Sequence, residues 1–523
     1  MTHGECQLIY GVHSNWKGKM IEAVVHGITY VLSPHMLPWI FFGVIIGLVV
    51  GVLPGLGGAA TLAILLPIVY TLDPTFALTF LIVLHAAVSQ GGVITSILFG
   101  VPGESVNVAS MLDGYPLAKQ GHAGRALGAS QMASMLGAIF GGVVMACLIP
   151  IARPIILAFG SPEIFMMAIL GISFVAVLGR GSALKAVITG GLGIMLAFVG
   201  LHSGTGVLRY TGGIMHFWEG FQVVPVFMGL FAIPEVIDIM LKGESIAQTK
   251  QASVGWKDVW QGCKDVFSHW TLMLRCSAIG TALGLVPGVG GVVSQFICYG
   301  HAKQTSKQPQ LFGLGNIEGV IAPESGNNAK EGGSLFAALA FGLPSGAAMV
   351  MILAALMVLG IRPGPEMITQ HLDLFWTLIV SLIVGNVLSS IINILAARQL
   401  ARITFIKGNV LVPIIILLVI LGSYGIANDI YDVFLAFAFG GIGYLMKIYD
   451  YPRVTFTIGF VLGDYAERYF LVSFASLGPD FLLKSPIALV ILFITVMGLV
   501  GRSVRGLPLR FLRRLISKEE EGE

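Results

Sequence analysis

Charge is scarce in this chain. Asp, Glu, Lys and Arg supply 11% of its 523 residues while hydrophobic residues supply 56%, whereas a soluble domain carries about 25% charged residues. With a mean hydropathy of +0.88, the chain reads as an integral membrane protein with no room for a soluble domain. The net charge of +3 is too small, and its basic residues too scattered, for a nucleic-acid surface. Cysteine is sparse as well. Cys6, Cys147, Cys263, Cys276 and Cys298 contain no CxxC pair, which argues against a disulfide framework or a zinc site and leaves small buried residues. Catalytic signatures are missing too, with neither HExxH nor Gly-x-Ser-x-Gly present. No cleavable signal peptide is evident: Lys17 and Lys19 have no long apolar core before them. Met20 opens the amphipathic run Ile21 to Leu32, so residues 1–19 read as an extension or an over-called start.

Apolar stretches, glycine and proline are plentiful. Segments near the roughly 20 residues needed to cross a bilayer fall at 37–53, 75–90, 126–149, 163–178, 184–201, 221–241, 268–286, 334–359, 373–397, 410–425, 431–447, 455–475 and 485–501. Some are short or glycine-broken, so the expected fold is an all-α integral membrane protein of about 10–13 spans. One polar interlude, 242–269, separates a first half (20–241) from a second (270–501) and predicts a loop plus a surface helix. The tail, 502–523, carries Arg502, Arg505, Arg510, Arg513, Arg514 and Lys518 before an acidic end, which predicts a cytoplasmic C-terminus by the positive-inside rule.

The 68 glycines and 23 prolines are not spread evenly. Gly51-Val-Leu-Pro-Gly-Leu-Gly-Gly58 returns 233 positions later as Gly284-Leu-Val-Pro-Gly-Val-Gly-Gly291. Each copy is followed by a second breaker, Gly100-Val-Pro-Gly-Glu104 and Gly342-Leu-Pro-Ser-Gly346. Gly91-Gly92 and Gly332-Gly333 stand ten and eleven residues before Pro102 and Pro344. The shared order predicts two repeats with broken or re-entrant helices. Proline removes an N–H and glycine loosens the backbone, and a broken helix in lipid is tolerated only where protein or a wet cavity receives its polar groups. Paired breaks of this kind point to a transport site between the repeats. A simple kink is the plainer reading of either copy alone.

An unwound segment offers amides at a half-helix N-terminus to a carboxylate, and freed carbonyls to a coupling cation. The candidate substrate-binding residues are therefore Pro54, Gly55, Gly57, Pro102, Gly103, Ser105, Asn107, Pro287, Gly288, Gly290, Ser325, Asn327, Asn328, Pro344 and Ser345. Sodium is expected near Gly55, Gly288 and Asn328, with protons as the alternative. The stretch from Glu318 to Gly333 reads as part of the second break region, where Asn327 and Asn328 either line the site or cap a helix. Thr95 adds a hydroxyl; Lys330 or Arg125 would supply a positive charge. Glu104, Glu324 and Glu331 read as functional acids or wet-interface residues. His85 and His202 read as hydrogen-bonded packing residues. Gly55-Leu-Gly-Gly58 is no phosphate loop, because no strand precedes it and no Lys-Ser/Thr follows.

At these residues the chain resembles the TctA family, the large membrane subunit of tripartite tricarboxylate transporters. The resemblance runs from about Met20 to about Pro486 and includes Gly51 to Gly57, Pro102-Gly103, Asp113-Gly-Tyr-Pro116, Lys119 with Gly121, Pro287 to Gly290, Phe312-Gly-Leu-Gly315, Glu318-Gly-Val320, Ala322-Pro-Glu-Ser325, Asn327-Asn-Ala329, Gly332-Gly333 and Gly360-Ile-Arg-Pro-Gly-Pro365. It implies an ion-gradient-driven carboxylate importer of a Gram-negative inner membrane. The expected partners are a small TctB-like membrane subunit and a TctC-like periplasmic solute-binding protein. Two positions depart from the family pattern. Glu104 stands where a small hydroxyl residue is usual, and Pro344-Ser345-Gly346 replaces the order Pro-Gly-Ser. An added carboxylate repels an anion unless it is protonated or paired, so citrate is not implied.

Two rival readings carry less of the sequence. A self-sufficient organic-anion carrier would share the breaks without the partners. An intramembrane aspartyl protease would use Tyr431-Asp432 and Leu462-Gly-Asp464, but Val461 replaces a glycine its motif requires.

Overall fold

The structure, a computed structural model, describes residues 3–53, 57–67, 72–178, 183–202, 204–242, 255–400 and 408–505. Pro54 and Gly55, the linker 243–254 and the tail from 506 onward, with Arg510, Arg513, Arg514 and Lys518, lie outside the described residues. In the first half, α1 (His3–Val31) runs through Met20 without interruption. Helix α2 (Leu37–Gly51) has 15 residues, about 22 Å at 1.5 Å per residue and short of the ~30 Å hydrocarbon core. It stops at the first Pro-Gly run, and α3 (Gly58–Leu65) restarts beyond it. Helix α4 (Pro74–Phe99) opens on Asp73, whose carboxylate accepts from the amides of Thr75 and Phe76, an N-cap with proline at the first helical position. Next come α5 (Val108–Lys119), the 35-residue α6 (Ala123–Leu157), α7 (Ser161–Leu178) and α8 (Ala183–Ala197). A two-stranded hairpin of β1 (Gly200–Leu201) and β2 (Leu208–Arg209) precedes α9 (Val223–Phe227), which passes through one π-helical turn into α10 (Ile233–Lys242).

The second half restates the first. After α11 (Trp256–Ser268), α12 (Trp270–Gly284) again has 15 residues, stops at the second Pro-Gly run and gives way to α13 (Gly290–Thr305). Then follow α14 (Glu318–Phe341), α15 (Ala347–Val358), the short α16 (Pro365–Thr369) and α17 (Leu372–Leu400). Helices α18 (Gly408–Ala427), α19 (Ile430–Ile448), α20 (Arg453–Leu477) and α21 (Pro486–Arg505) complete the described chain. The matched long helices α4 and α14 end in the same way, on left-handed glycines with φ of 66° at Gly100 and 68° at Gly342. An L side chain is strained there, so glycine sets both exits toward Pro102 and Pro344.

Two expectations fail in the second half. Residues 318–333 are not unwound: α14 is continuous across them. The span expected at 334–359 is instead cut at 342–346, between α14 and α15. The reason is burial. Every residue of α4 from Ala77 to Phe99, and of α14 from Gly319 to Ala340, is buried, so most polar side chains of α14 find protein partners and the backbone can stay helical.

Two compact units divide the chain, residues 1–156 with 222–445, and residues 157–221 with 446–523. In the first, the halves are interwoven. Helix α4 packs on α17, where Gln90 Nε2 donates to Asn386 Oδ1 at 2.8 Å. Helix α14 packs on α6, with Gly137 and Gly141 set directly against the backbone of Ser325 and Ala329. Each central helix thus leans on the long helix of the opposite half. In the second unit α20 packs on α7 and α8, and Arg209 forks onto Glu467 at 2.6 and 2.8 Å. Five described helices are long and apolar enough to cross a membrane (Pro74–Phe99, Ala123–Leu157, Val223–Leu241, Leu372–Ala396 and Ile430–Ile448), and shorter apolar helices accompany them.

Candidate site at the two helix breaks

At the first break the glycines converge. Gly103 N–H donates to Gly92 O at 3.3 Å, and a Cβ on Gly103 would sit 2.5 Å from both Gly51 O and Gly92 Cα. The end of α2, the Gly91-Gly92 pair and the Gly-x-Pro-Gly turn therefore meet at one point, and Thr95 Oγ1 closes back onto Gly92 O at 3.0 Å. Pro102 is half-buried and Ser105 exposed beside it. Gly57 is the N-cap of α3. The amide of Gly58 donates to Glu104 Oε1 at 2.9 Å, placing a carboxylate at the positive end of that helix. Glu104 Oε2 is buried without a hydrogen-bond partner. Asn107 is fully buried; its Oδ1 accepts from Glu104 N–H at 3.3 Å and its Nδ2 donates to Ser89 O at 3.1 Å.

At the second break the chain turns through buried Pro287 and through Gly288 and Gly290, with φ of 75° and 66°. Gly290 N–H donates to Ser345 O at 3.1 Å, tying α13 to the Pro344 turn. Several buried polar atoms here have no hydrogen-bond partner within the protein: Ser294 Oγ, both amide atoms of Gln295, Asn327 Oδ1 and Ser345 Oγ. Buried polar atoms are rarely left this way, since each costs about 1–3 kcal/mol.

The breaks touch. Val106, in the turn after α4, packs against Gly291, and Asn327 Oδ1 lies 3.0 Å from where a Cβ on Gly291 would stand. Ser89 joins them, accepting from Asn107 through its carbonyl and from Asn327 Nδ2 through its hydroxyl at 3.1 Å. Asn327 and Asn328 thus lie in mid-helix and cap nothing. Asn328 Nδ2 donates to Asn386 Oδ1 at 3.0 Å.

Two clusters flank this meeting point. One is ionic: Lys330 Nζ lies 2.7 Å from Glu331 Oε1, and His85 Nε2 lies 3.2 Å from Glu331 Oε2. His85 is thus buried and hydrogen-bonded; its Nδ1, unpartnered, would face a Cβ on Gly58 at 2.9 Å. The other is a neutral chain in which Ser390 Oγ donates to Gln90 Oε1, Gln131 Nε2 to Gln90 O, and Asn393 Nδ2 to Gln131 Oε1. Sequence reasoning missed Gln90, Gln131, Asn386 and Asn393, because each is a lone polar residue in an apolar helix with its partners far along the chain.

Other candidates lie elsewhere. Ser325 Oγ donates to Ile321 O of its own helix at 2.7 Å. Glu324 accepts from Ser110 and Ser134. Arg125 is held by Asp265 at 2.5 Å, on the α11 side of α6. His202 lies in the second compact unit, hydrogen-bonded to Thr205 at 2.7 Å and 3.4 Å from Glu467. Asp113, noted only as a motif residue, proves to be a clamp. It accepts from the amides of Gly313, Gly315 and Asn316 at 2.8–2.9 Å and from Tyr299 OH at 2.8 Å. Tyr431 and Asp464 fall in different compact units. Among the described residues no group of three or more His, Cys, Asp and Glu is placed to hold a metal ion.

A family model described as the tripartite tricarboxylate transporter TctA family matches residues 37–458. A protein of Agrobacterium vitis, described as an uncharacterized 52.8 kDa protein in the TAR-I ttuC' 3' region, is 35% identical over 457 residues, covering 86% of this chain and 89% of its own. A second from the same organism, described as lying in the TAR-II ttuC' 3' region, is 36% identical over 190 residues, which are 36% of this chain and 78% of its own. No solved structure matches the chain.

Proposed function

Since the chain belongs to the tripartite tricarboxylate transporter TctA family, we propose that it is the translocating subunit of a secondary importer that moves a carboxylate, such as a di- or tricarboxylate, down a sodium gradient. It works in the inner membrane with a small membrane subunit and a periplasmic solute-binding protein, its C-terminus in the cytoplasm. One observation carries the placement of the site. Two interrupted helices, one from each half, bring their ends to a shared buried point where Val106 meets Gly291 and Ser89 bridges Asn107 to Asn327.

The chemistry suits an anion and its escort cation. Helix N-termini lie at both breaks, at α3 and α13, and such ends suit a carboxylate, while carbonyls freed at the Gly288 turn suit sodium. The test is uptake of labelled mono-, di- and tricarboxylates by proteoliposomes holding the chain and its two partners. An inward sodium gradient should drive accumulation, and choline in its place should abolish it. Accumulation that persists in choline and collapses with a proton uncoupler refutes the sodium assignment. Transport without either partner refutes the tripartite arrangement.

A further inference from the structure

Four ionisable side chains meet where the first break leans on α14, and their hydrogen bonds leave two acceptors beside one another. Glu331 is shared: Lys330 Nζ lies 2.7 Å from its Oε1, and His85 Nε2 lies 3.2 Å from its Oε2. A carboxylate paired with an ammonium only accepts, so Nε2 carries the ring hydrogen. In a neutral imidazole Nδ1 is then a bare acceptor. His85 is only 5% exposed, and its Nδ1 is unpartnered. That atom is turned toward the start of α3, 2.9 Å from where a Cβ on Gly58 would stand, and Glu104 Oε1 lies 3.1 Å from the same point. Glu104 Oε1 already accepts from Gly58 N–H at 2.9 Å, while its Oε2 is buried without a partner. With the ring neutral, the cluster sets one cation, Lys330, against two carboxylates. The surrounding elements add no charge to it. Helices α2, α3 and α15 carry none, and α13 has none before His301. The α17 residues that bond α4, Ser381, Asn386 and Ser390, are uncharged. Asp113 of α5 and Glu324 of α14 are engaged by partners of their own.

We propose that His85 and Glu104 form a proton-binding site, and that its proton enters together with the substrate carboxylate. One proton turns either Nδ1 or Glu104 Oε2 into a donor for the other and brings the cluster to zero net charge, the favoured state of a buried group of ions. A proton suits this pair better than sodium does, because hard cations take oxygen ligands whereas one of the two free atoms is an imidazole nitrogen. The inference rests on the transport reading above and adds a second coupled ion to sodium. Position supplies the coupling. Glu104 N–H is held by Asn107, and Asn107 reaches Asn327 through Ser89, while Glu331 lies one helical turn beyond Asn327 on α14. An anion arriving at that meeting point faces one negative charge fewer once the proton is bound. By linkage, the anion then raises the affinity for the proton by the same factor.

Two measurements test this. The first needs no substrate: infrared difference spectra of the purified full chain in nanodiscs, recorded as the pH is lowered, should contain one titration step that Glu104→Gln and His85→Gln each delete. Glu104→Gln keeps the volume and the bond from Gly58, and His85→Gln keeps a donor for Glu331; Glu104→Ser serves if the glutamine variant fails to fold. The second is uptake of labelled mono-, di- and tricarboxylates by proteoliposomes holding the chain and its two partners, under a fixed inward sodium gradient and a clamped membrane potential. One coupled proton per substrate should raise wild-type accumulation by up to about tenfold for each unit of inward pH gradient. That rise should vanish in both variants. A variant whose accumulation still follows the pH gradient shows that the proton rides on the substrate itself, and it overturns the inference. So does the absence of the shared titration step. Sodium-driven accumulation that ignores the pH gradient in the wild type overturns this inference alone and leaves the transport reading standing. No accumulation of any of these carboxylates under either gradient overturns the transport reading and the coupling with it.

Discussion

Removing Lys330 should unfold the first compact unit more easily than its position in mid-helix suggests. Its ammonium lies 2.7 Å from Glu331 Oε1, while His85 sits 3.2 Å from the other carboxylate oxygen, and all three side chains are buried. Lys330→Met keeps the apolar stem and deletes the charge, which leaves Glu331 with only the imidazole for company. Breaking a buried pair from one side costs about 3–5 kcal/mol, because the remaining charge stays desolvated. Deleting both charges removes that penalty. Lys330→Met with Glu331→Gln should therefore lie within about 1.5 kcal/mol of the wild type, His85 still hydrogen-bonding the amide. The cycle then shows a coupling of about 2 kcal/mol or more. Denaturant unfolding in detergent micelles, followed by tryptophan fluorescence, measures all four proteins. Should Lys330→Met alone cost less than about 1 kcal/mol, or the double variant be no better than the single, the cluster is not a desolvated ion pair and the reasoning fails.

Three further outcomes are expected. Asn328→Ala loses the bond to Asn386 and the acceptor for Asn327; it should cost about 1–2 kcal/mol and sharply lower uptake with membrane abundance retained, and wild-type uptake would remove Asn328 from the site. Pro287→Ala lets α12 and α13 approach a continuous helix, so it should impair uptake more than Pro234→Ala in α10; equal effects count against a special role for the break. Asp113→Ala strips an acceptor from three amides and one phenol and should destabilise by on the order of 3 kcal/mol, with Asp113→Asn losing about half of that. Identical thermal melting of Asp113→Ala and wild type would deny the clamp.

Much of this molecule could be read before any coordinates. Its membrane character follows from composition, and the ends of α2, α4, α12 and α14 follow from proline and glycine, whose effects on φ and on the amide donor belong to the residue itself. The repeat was legible for the same reason: the breakers recur in one order, and the chain stops helix at each Pro-Gly and Gly-x-Pro run, though not at Gly91-Gly92 or Gly332-Gly333. Most candidate glycines and asparagines at the two turns do come together, whereas Ser325 and Arg125 turn aside to their own partners.

What sequence could not decide was the fate of polar groups within helices. The run from Glu318 to Gly333 looks unwound because it is rich in breakers and charge, but Ser134 reaches Glu324 across 190 positions and Asn327 reaches Ser89 across 238. Those partners let α14 stay helical inside protein. Glu104 likewise had no readable partner until the turn after α4 folded its carboxylate onto α3. Backbone constraints act within a few residues and are written locally. The pairing of buried charge and hydrogen-bonding groups is set by which helices lean on which, and that is decided only when the two halves interlock.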